Sequence, residues 1–516
     1  MVLGEILRWN AKRHPDKVAI VFDEYRCTFR RLEDRVNRLA NGFLQMGLQK
    51  GDRVGFMAQN CPQHIELLFA AAKAGIILVP IGFRFVEAEI LHIVNDVEPR
   101  VLIFTIEHQD QINSIKLQIK NVEKFICLEQ KLDFAFYYED LVQSSSATEP
   151  PIVIEENDDL TILYTSGSTG NPKGVIHTQG KWIIGCLNYV CNLMRSENDV
   201  ALIVAPMYHL ASIWPFLLNL FIGGRVVILS RFDPVKVLET VEKEGITNIN
   251  LVPTHLVDLL EAVKKKQYDI SSLRSITYGA APMPLEVLKQ CTETFGHIFT
   301  HLYGMTESTS CVTYLKVGGY VETEDQKLSR RLAFSCGQDG INIETRVVNS
   351  EGNDVKCGEV GEIIVRGPSI TKGYWRLPEE TSRKLKNGWF YTGDLATVDE
   401  DGYVFITDRK DFKIISGGEN IYPKEVEDII YQHPAVKEVV IVAVPDKRWG
   451  EAVKAVVVLK EGFKATEDEI IHFCKERMAG YKKPKSVDFV SDLPKSSLGK
   501  ILRKEIKKYY WQERTE

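Results

Sequence analysis

The chain has 516 residues, at about 100–200 residues per domain enough for roughly three or four folding units, which excludes a peptide hormone or a small disulfide scaffold. Hydrophobic residues make up 44% and charged residues 26%, close to the globular average, so extended disorder and a collagen-like fibre are excluded as well. Its 64 basic and 70 acidic side chains leave a net charge of −6, without the global basic field of a nucleic-acid binder. The N-terminal MVLGEILRWNAKRHPDK carries charge too early and too densely for a signal peptide. Short apolar runs then alternate with helical patterns: KVAIVF, RVGFMA, IILVPI, RVLIF, DLTILYT, ALIVAP, RVVIL, NINLVP and SITYGA. Continuous apolar strands of this length predict parallel sheets buried on both faces. Thr28 is placed to cap a helix whose Leu32, Val36, Leu39 and Phe43 share a face, with Gly47 as its stop. Leu210 to Leu229 is nearly apolar but interrupted by Pro215, Asn219, Gly223, Gly224 and Arg225. It reads as a buried helix, a glycine turn and a buried strand, in preference to a membrane span. Asp233-Pro234 opens the next helix and Gly245 closes it.

After about residue 340 the texture changes to strands separated by Gly/Asp turns, TRVVNSEGNDV, GEIIVRG and GYVFITDRK, as in a small antiparallel unit. From Asp411 the pattern becomes a compact α+β unit, with KEVEDIIYQH, EVVIVAVP, AVKAVVVLK and a helix from the capping box Thr466–Glu469 to Gly480. The fold class is therefore α/β: a large domain of layered βα subdomains with an antiparallel β unit, residues 1–409, then a small α+β domain, residues 410–516. Residues 475–516 hold twelve basic and six acidic side chains, read either as a solvated face or as an anion-handling segment. Ten cysteines without a CxxC pair predict reduced thiols and a cytoplasmic setting.

The loudest segment is Tyr164-Thr165-Ser166-Gly167-Ser168-Thr169-Gly170-Asn171-Pro172-Lys173-Gly174, directly after the apolar run DLTIL. Glycines allow close backbone approach, and hydroxyls with an ammonium suit phosphate oxygens. Lys173 precedes its glycine, so this is not a Walker loop. The segment resembles the phosphate loop of the adenylate-forming superfamily, which includes acyl-CoA synthetases, luciferases and nonribosomal adenylation domains. The other family motifs follow in order: Gly279-Ala280-Ala281-Pro282, Tyr303-Gly304-Met305-Thr306-Glu307, Tyr391-Thr392-Gly393-Asp394, Asp408-Arg409-Lys410-Asp411, Ser416-Gly417-Gly418-Glu419-Asn420-Ile421 and Pro494-Lys495-Ser496-Ser497-Leu498-Gly499-Lys500.

The resemblance implies that Thr165 to Gly170, Lys173, Gly279 to Pro282, Tyr303, Gly304, Asp394 and Arg409 bind nucleotide. It gives Thr306 the phosphate, Glu307 with Thr165 the magnesium, Asp394 with Arg409 the ribose, and Tyr303 the adenine ring. Hard oxygen ligands suit magnesium. One carboxylate can accept from both ribose hydroxyls. In isolation Glu307 reads as a solvated turn residue, and TGD as a turn. Lys500 in isolation is a surface lysine; the resemblance places it between the substrate carboxylate and the α-phosphate. The resemblance also implies that Tyr208 and His209 border the carboxylate site and that the helix bearing Trp214 lines an acyl pocket, which Gly279 and Gly304 leave open; in isolation an aromatic stripe on a helix reads as core. The small domain is implied to be mobile about Asp411, alternating Lys500 with the Ser416-Gly417-Gly418 face offered to CoA. The chain departs from the commonest pattern at Ser496, often Thr, and Asp408, often Gly; both are expected to be tolerated. His297 and His301 lie about 13 Å apart if on a strand and cannot share an ion.

The resulting expectation is an AMP-forming acid–CoA ligase using ATP, CoA and Mg2+, with a medium- or long-chain fatty acid as substrate. Bulk at Gly279 is expected to shorten the preferred chain. Nucleic acid and a transmembrane span are not expected, while peripheral membrane contact and a homodimer stay open. The alternatives are an aryl- or other acid–CoA ligase, a stand-alone enzyme loading a carrier protein, a luciferase-like oxygenase, and a non-catalytic AMP-binding module.

Overall fold

Every apolar run read as a strand forms one, and together they build two sheets. The computed structural model of the chain describes residues 1–119, 121–165, 172–279, 283, 285–317, 331, 334–417, 419–446, 448–495 and 501–512. A seven-stranded sheet runs Phe136–Tyr137, Lys124–Cys127, Val101–Phe104, Arg53–Met57, Ile77–Ile81, Asp159–Thr165 and Lys173–Thr178, parallel except for the last hairpin. A nine-stranded sheet has a parallel centre, Val18–Phe22, Arg225–Ile228, Val200–Ile203, Asn248–Leu251, Ser275–Gly279 and Phe299–Gly304. Antiparallel strands Tyr25–Thr28, Cys311–Val317 and Gln338–Asp339 finish its edges. These margin strands mix polar and apolar residues, so no continuous apolar run announces them.

The helices Phe29–Gln45 and Gln63–Ala74 share one core with strands of both sheets, through Leu32, Val36, Leu39, Phe43 and Leu68 against Val54, Phe56, Ile20 and Val226. Thr28 caps the first by accepting from the Arg31 amide at 3.3 Å, and Gly47 follows its end at φ +88°. Residues His64 to Ala74 are all buried, so the charges among them are paired. The Lys73 ammonium donates to Glu33 at 2.5 Å, Asn37 at 2.8 Å and Glu149 at 2.9 Å. Glu66 accepts from Arg35 at 2.6 Å and from the Tyr138 hydroxyl at 2.8 Å. The apolar stretch resolves as the helix Leu210–Phe221, a turn with Gly223 at φ +82°, and the strand Arg225–Ile228. No helix among the described residues is long and apolar enough to cross a membrane. All ten cysteines are unbridged.

The antiparallel unit comprises Glu344–Val348, Gly361–Arg366, Trp389–Val398, Leu385–Lys386 and Val404–Arg409. Sheet membership changes after Arg409. A 3-10 turn, Lys410–Phe412, leads into a separate sheet of Glu419–Ile421, Ile414–Ser416, Gly450–Leu459, Val436–Asp446 and Ser486–Phe489. The Thr466 capping box forms, but its helix ends at Lys475 and does not run to Gly480. The Arg477 and Met478 amides both bond back to the Cys474 carbonyl, which converts the helix to a tighter turn.

The Lys73 cluster gives a stability test. Lys73→Ala leaves Glu33 buried without its cation and should cost about 3–5 kcal/mol. Denaturant unfolding of the two proteins measures it, and Lys73→Ala at parental stability would show the cluster to be inert.

Candidate active site

Thr165 and Lys173 are register partners at the open end of the hairpin Asp159–Thr165/Lys173–Thr178. Ser166, Gly167, Ser168, Thr169 and Gly170 lie outside the described residues, as do Ala280, Ala281, Pro282, Gly418 and Lys500. The return strand is flanked by the segment from Thr371 to Trp375. The Trp375 amide donates to the Gly174 carbonyl at 2.8 Å, and the Ile176 amide to the Gly373 carbonyl at 3.1 Å. This segment also reaches Glu307: the Thr371 amide donates to its carbonyl at 2.7 Å and the Tyr374 hydroxyl to its carboxylate at 2.8 Å. Burial, and then the Glu307 charge, push the Tyr374 phenol well up, so it stays a neutral donor. The Lys173 ammonium lies 5.8 Å from the centre of the Tyr374 ring. Phosphate-loop lysine and predicted metal carboxylate are thus joined through one tyrosine that the sequence reading did not single out.

Lys173 is also paired with Glu380 at 2.7 Å, and Glu380 takes two further bonds from Arg383 at 2.9 and 2.8 Å. Burial alone would raise the Glu380 carboxyl; the bonds from Lys173 and Arg383 outweigh it and lower it. Thr306 opens the 3-10 turn Thr306–Ser308. Thr309 follows at φ +57°, and its hydroxyl shares a 2.8 Å hydrogen bond with His177 Nδ1 on the hairpin. Burial drives that imidazole down to about 3. Glu307 with the hydroxyls of Thr165 and Thr306 is a donor set that magnesium accepts when phosphates supply its other ligands.

The nucleoside side forms where two sheets meet. The Tyr303 hydroxyl donates to Asp394 at 2.7 Å, and Arg409 lies 3.5 Å from the other carboxylate oxygen. Asp394 and Arg409 are cross-strand partners, so strand register alone brings them together. Gly393, at φ +82°, donates to Glu362 at 3.0 Å. Lys384, unremarked in the sequence, packs against Gly393, its ammonium lowered by burial, with Arg409 and Arg383 adding.

Met207-Tyr208-His209 precedes the helix Leu210–Phe221, and the amides of Ser212 and Ile213 bond to the His209 carbonyl. Burial, with Arg84 adding, lowers the His209 imidazole to about 4; it is neutral at pH 7. Its ring lies 4.2 Å from Tyr208, which Phe83 and Phe85 contact edge-on. Trp214 stacks on Tyr189 at 4.1 Å, in a cluster with Leu218, Leu302, Cys311 and Tyr314.

The glycines correct an expectation. A Cβ on Gly279 would stand 2.3 Å from the Leu302 carbonyl oxygen, and one on Gly304 would stand 2.9 Å from Cys311 Cα. Both glycines answer to backbone packing between neighbouring strands, not to an open tunnel. Bulk at 279 would break the pairing with Phe299–Gly304 before it met an acyl chain. His301 is held by a 3.2 Å bond to the Ser335 carbonyl and stacks on Tyr278, and no cluster of metal-binding side chains occurs among the described residues.

Asp408, expected to be neutral variation, proves structural. Almost fully buried at 5% exposure, it accepts from the Lys424 amide at 2.9 Å and from Arg503 at 3.2 Å. Arg503 in turn donates to Glu427 at 2.5 Å. Asp408 belongs to the antiparallel unit and its partners to the C-terminal one. The next residue, Lys504, has its ammonium lowered by burial first; Asp411 opposes this, and the cations Arg409 and Lys173 add to it. In the segment expected to face CoA, Ser416 ends the strand Ile414–Ser416, and Gly417, at φ +60°, donates to the Trp449 carbonyl at 2.8 Å.

The family model described as AMP-binding enzyme matches residues 7–375, and that of the AMP-binding enzyme C-terminal domain matches 425–500. The chain belongs to the AMP-binding enzymes. Within that family it is 38% identical over 506 residues to a feruloyl-CoA synthase from Amycolatopsis sp, 97% of each chain. It is 33% identical over 536 residues to a long-chain-fatty-acid–CoA ligase from Bacillus subtilis (strain 168), covering 98% of this chain and 94% of that one. Among solved structures, ATP-bound MatB from Rhodopseudomonas palustris superposes with a TM-score of 0.88 at 29% identity, over 99% of this chain and 100% of that one. The apo form of MatB gives 0.78 at 28% identity over 99% of each, so this chain has the shape of the ATP-bound form more than of the apo form.

Asp408 supplies the test of the interdomain contact. Asp408→Ala takes an acceptor from the Lys424 amide and one of the two carboxylates from Arg503, and should destabilise this docking by about 1–3 kcal/mol. Small-angle scattering of the ATP complex should show a broader distribution of domain positions, while the large domain melts as in the parent. Identical scattering curves would remove Asp408 from that role.

Proposed function

We infer that the chain is an AMP-forming acid–CoA ligase whose acid is aromatic. The acid carboxylate attacks the α-phosphate of ATP and pyrophosphate leaves. The CoA thiol then attacks the adenylate carbonyl and AMP leaves. Lys173, released from Glu380, neutralises phosphate oxygens. Asp394 takes the ribose hydroxyls, with Arg409 balancing its charge, while Tyr303 closes the adenine side. Glu307, Thr165 and Thr306 would hold Mg2+, which neutralises charge on the phosphates. Neutral His209 orients the acid carboxylate beside Tyr208. Lys500 carries the positive charge needed at the five-coordinate phosphorus, a task suited to a compact ammonium. Rotation about Asp411 then exchanges it for the face of Ser416, Gly417 and Gly418, along which pantetheine enters.

One observation carries the substrate class. The cluster just beyond Gly279 and Gly304 is walled by Tyr189, Trp214 and Tyr314, with Leu218 fully buried behind them. Aromatic side chains pack favourably against a further ring, so such a cluster suits a flat aromatic acid better than a flexible alkyl chain. The 38% identity to a feruloyl-CoA synthase supports this reading. The second reading, a medium- or long-chain fatty acid, is favoured by the apolar composition of the same cluster and by the fatty-acid ligase relative. CoA-dependent AMP release across benzoic, cinnamic, 4-hydroxycinnamic, octanoic and palmitic acids separates them. Cinnamic-type acids should give the highest kcat/KM; highest turnover of palmitate would overturn the aromatic reading.

The rotation is tested by half-reactions. Lys500→Ala should slow adenylate formation on the order of 10²–10³-fold, as for loss of one charge-stabilising donor. Given a synthetic acyl-adenylate and CoA, the same variant should form thioester at near the parental rate. Quenched-flow traces showing equal loss of both steps would end the division of labour.

A further inference from the structure

Tyr314 lies on the strand Cys311–Val317, opposite Leu302. Its hydroxyl oxygen is buried and has no hydrogen-bond partner among the described residues. A buried hydroxyl without a partner is uncommon and calls for one. The nearby polar groups do not supply it. The Tyr189 hydroxyl and the Cys311 thiol share a 3.3 Å hydrogen bond with each other, and the Tyr189 ring meets Tyr314 edge-on, at 6.3 Å and 75°. Nor is the ring free to swing elsewhere: the position of a Cβ on Gly340 would stand 2.5 Å from Tyr314 Cε2, so backbone presses on one edge. Burial, with Cys311 adding, pushes the phenol well above its usual value, so the hydroxyl keeps its proton and can donate.

The position ties this hydroxyl to the acid. Leu302, its cross-strand neighbour, touches Gly279 through its carbonyl, and Gly304 touches Cys311. Gly304 directly follows Tyr303, which bonds the ribose carboxylate Asp394. Cross-strand neighbours lie about 5 Å apart. Leu302 and Gly304 share the face of the strand Phe299–Gly304 opposite to Tyr303, and Tyr314 pairs with Leu302 on that face, so an aromatic acid whose ring passes Gly304 would meet the Tyr189, Trp214 and Tyr314 cluster. The geometry points to the Tyr314 hydroxyl as a specificity-determining donor that reads an oxygen substituent on the far end of an aromatic acid. This rests on the aromatic reading above and adds the polar group to it.

The test compares kcat/KM for 4-hydroxycinnamate, cinnamate and octanoate in the parent, Tyr314→Phe and Tyr189→Phe. A site that hydrogen-bonds a substrate hydroxyl rejects the analogue lacking it, so the parent should prefer 4-hydroxycinnamate over cinnamate by about 10-fold or more. Tyr314→Phe removes only the oxygen and should bring that ratio close to one. Tyr189→Phe, whose oxygen is already engaged by Cys311, should shift the ratio less. AMP affinity measured by calorimetry checks that each variant is folded; if Tyr314→Phe fails that check, Tyr314→Met takes its place, with the same loss of preference expected. A parental ratio near one, with both aromatic acids turned over, would overturn the inference and leave the aromatic reading intact. An unaltered preference in Tyr314→Phe would also overturn it. Turnover of octanoate with neither aromatic acid accepted would overturn both.

Discussion

A single buried carboxylate determines how the two units of this chain meet. Asp408 sits on the last strand of the large unit and accepts from Lys424 and Arg503 of the small one, while Glu427 shares the arginine. Charges this deeply buried are tolerated only when paired, so the arrangement specifies one docking geometry. That geometry sets Lys504 near Lys173 and Arg409. Any rotation of one unit against the other must break this contact.

Within the large unit, the candidate groups come from three different sheets and the turns that leave them. The hairpin carrying Lys173, the turn carrying Glu307 and the strand pair carrying Asp394 and Arg409 come from three regions of sequence. Short backbone bonds draw them together, through the segment from Thr371 to Trp375 and through the His177 contact to Thr309. The buried sheets supply rigidity, and the functional groups stand where strands end and backbone polar groups are free to be used.

Much of this was legible in the sequence. The parallel strands announced themselves as apolar runs because both their faces are buried, and Thr28 and Asp233 marked helix starts because capping is a local chemistry. Motif order pointed to the adenylate-forming family. What stayed illegible depends on contacts between residues far apart in the chain. Glu380, Tyr374 and His177 carry no local pattern that declares their partners. Asp408 looked like neutral variation because its arginine lies 95 positions on. Gly279 was misjudged for a different reason: the residue type says that a side chain is missing, and only the fold says that its place is taken by the Leu302 carbonyl.

The pairing of Lys173 with Glu380 has a consequence for nucleotide capture. The Lys173 ammonium already holds a carboxylate counter-ion at 2.7 Å. In the phosphate role proposed for Lys173, an arriving phosphate would replace one carboxylate with another anion, so capture would be an exchange of counter-ions and the local charge would change less than the number of cations suggests. Exposed cations that bind phosphate unaided lose affinity steeply as salt screens them. Here the competing carboxylate is screened along with the ligand, so affinity for ATP should depend only weakly on ionic strength. Glu380 would in that role buffer nucleotide binding against salt without touching the nucleotide itself.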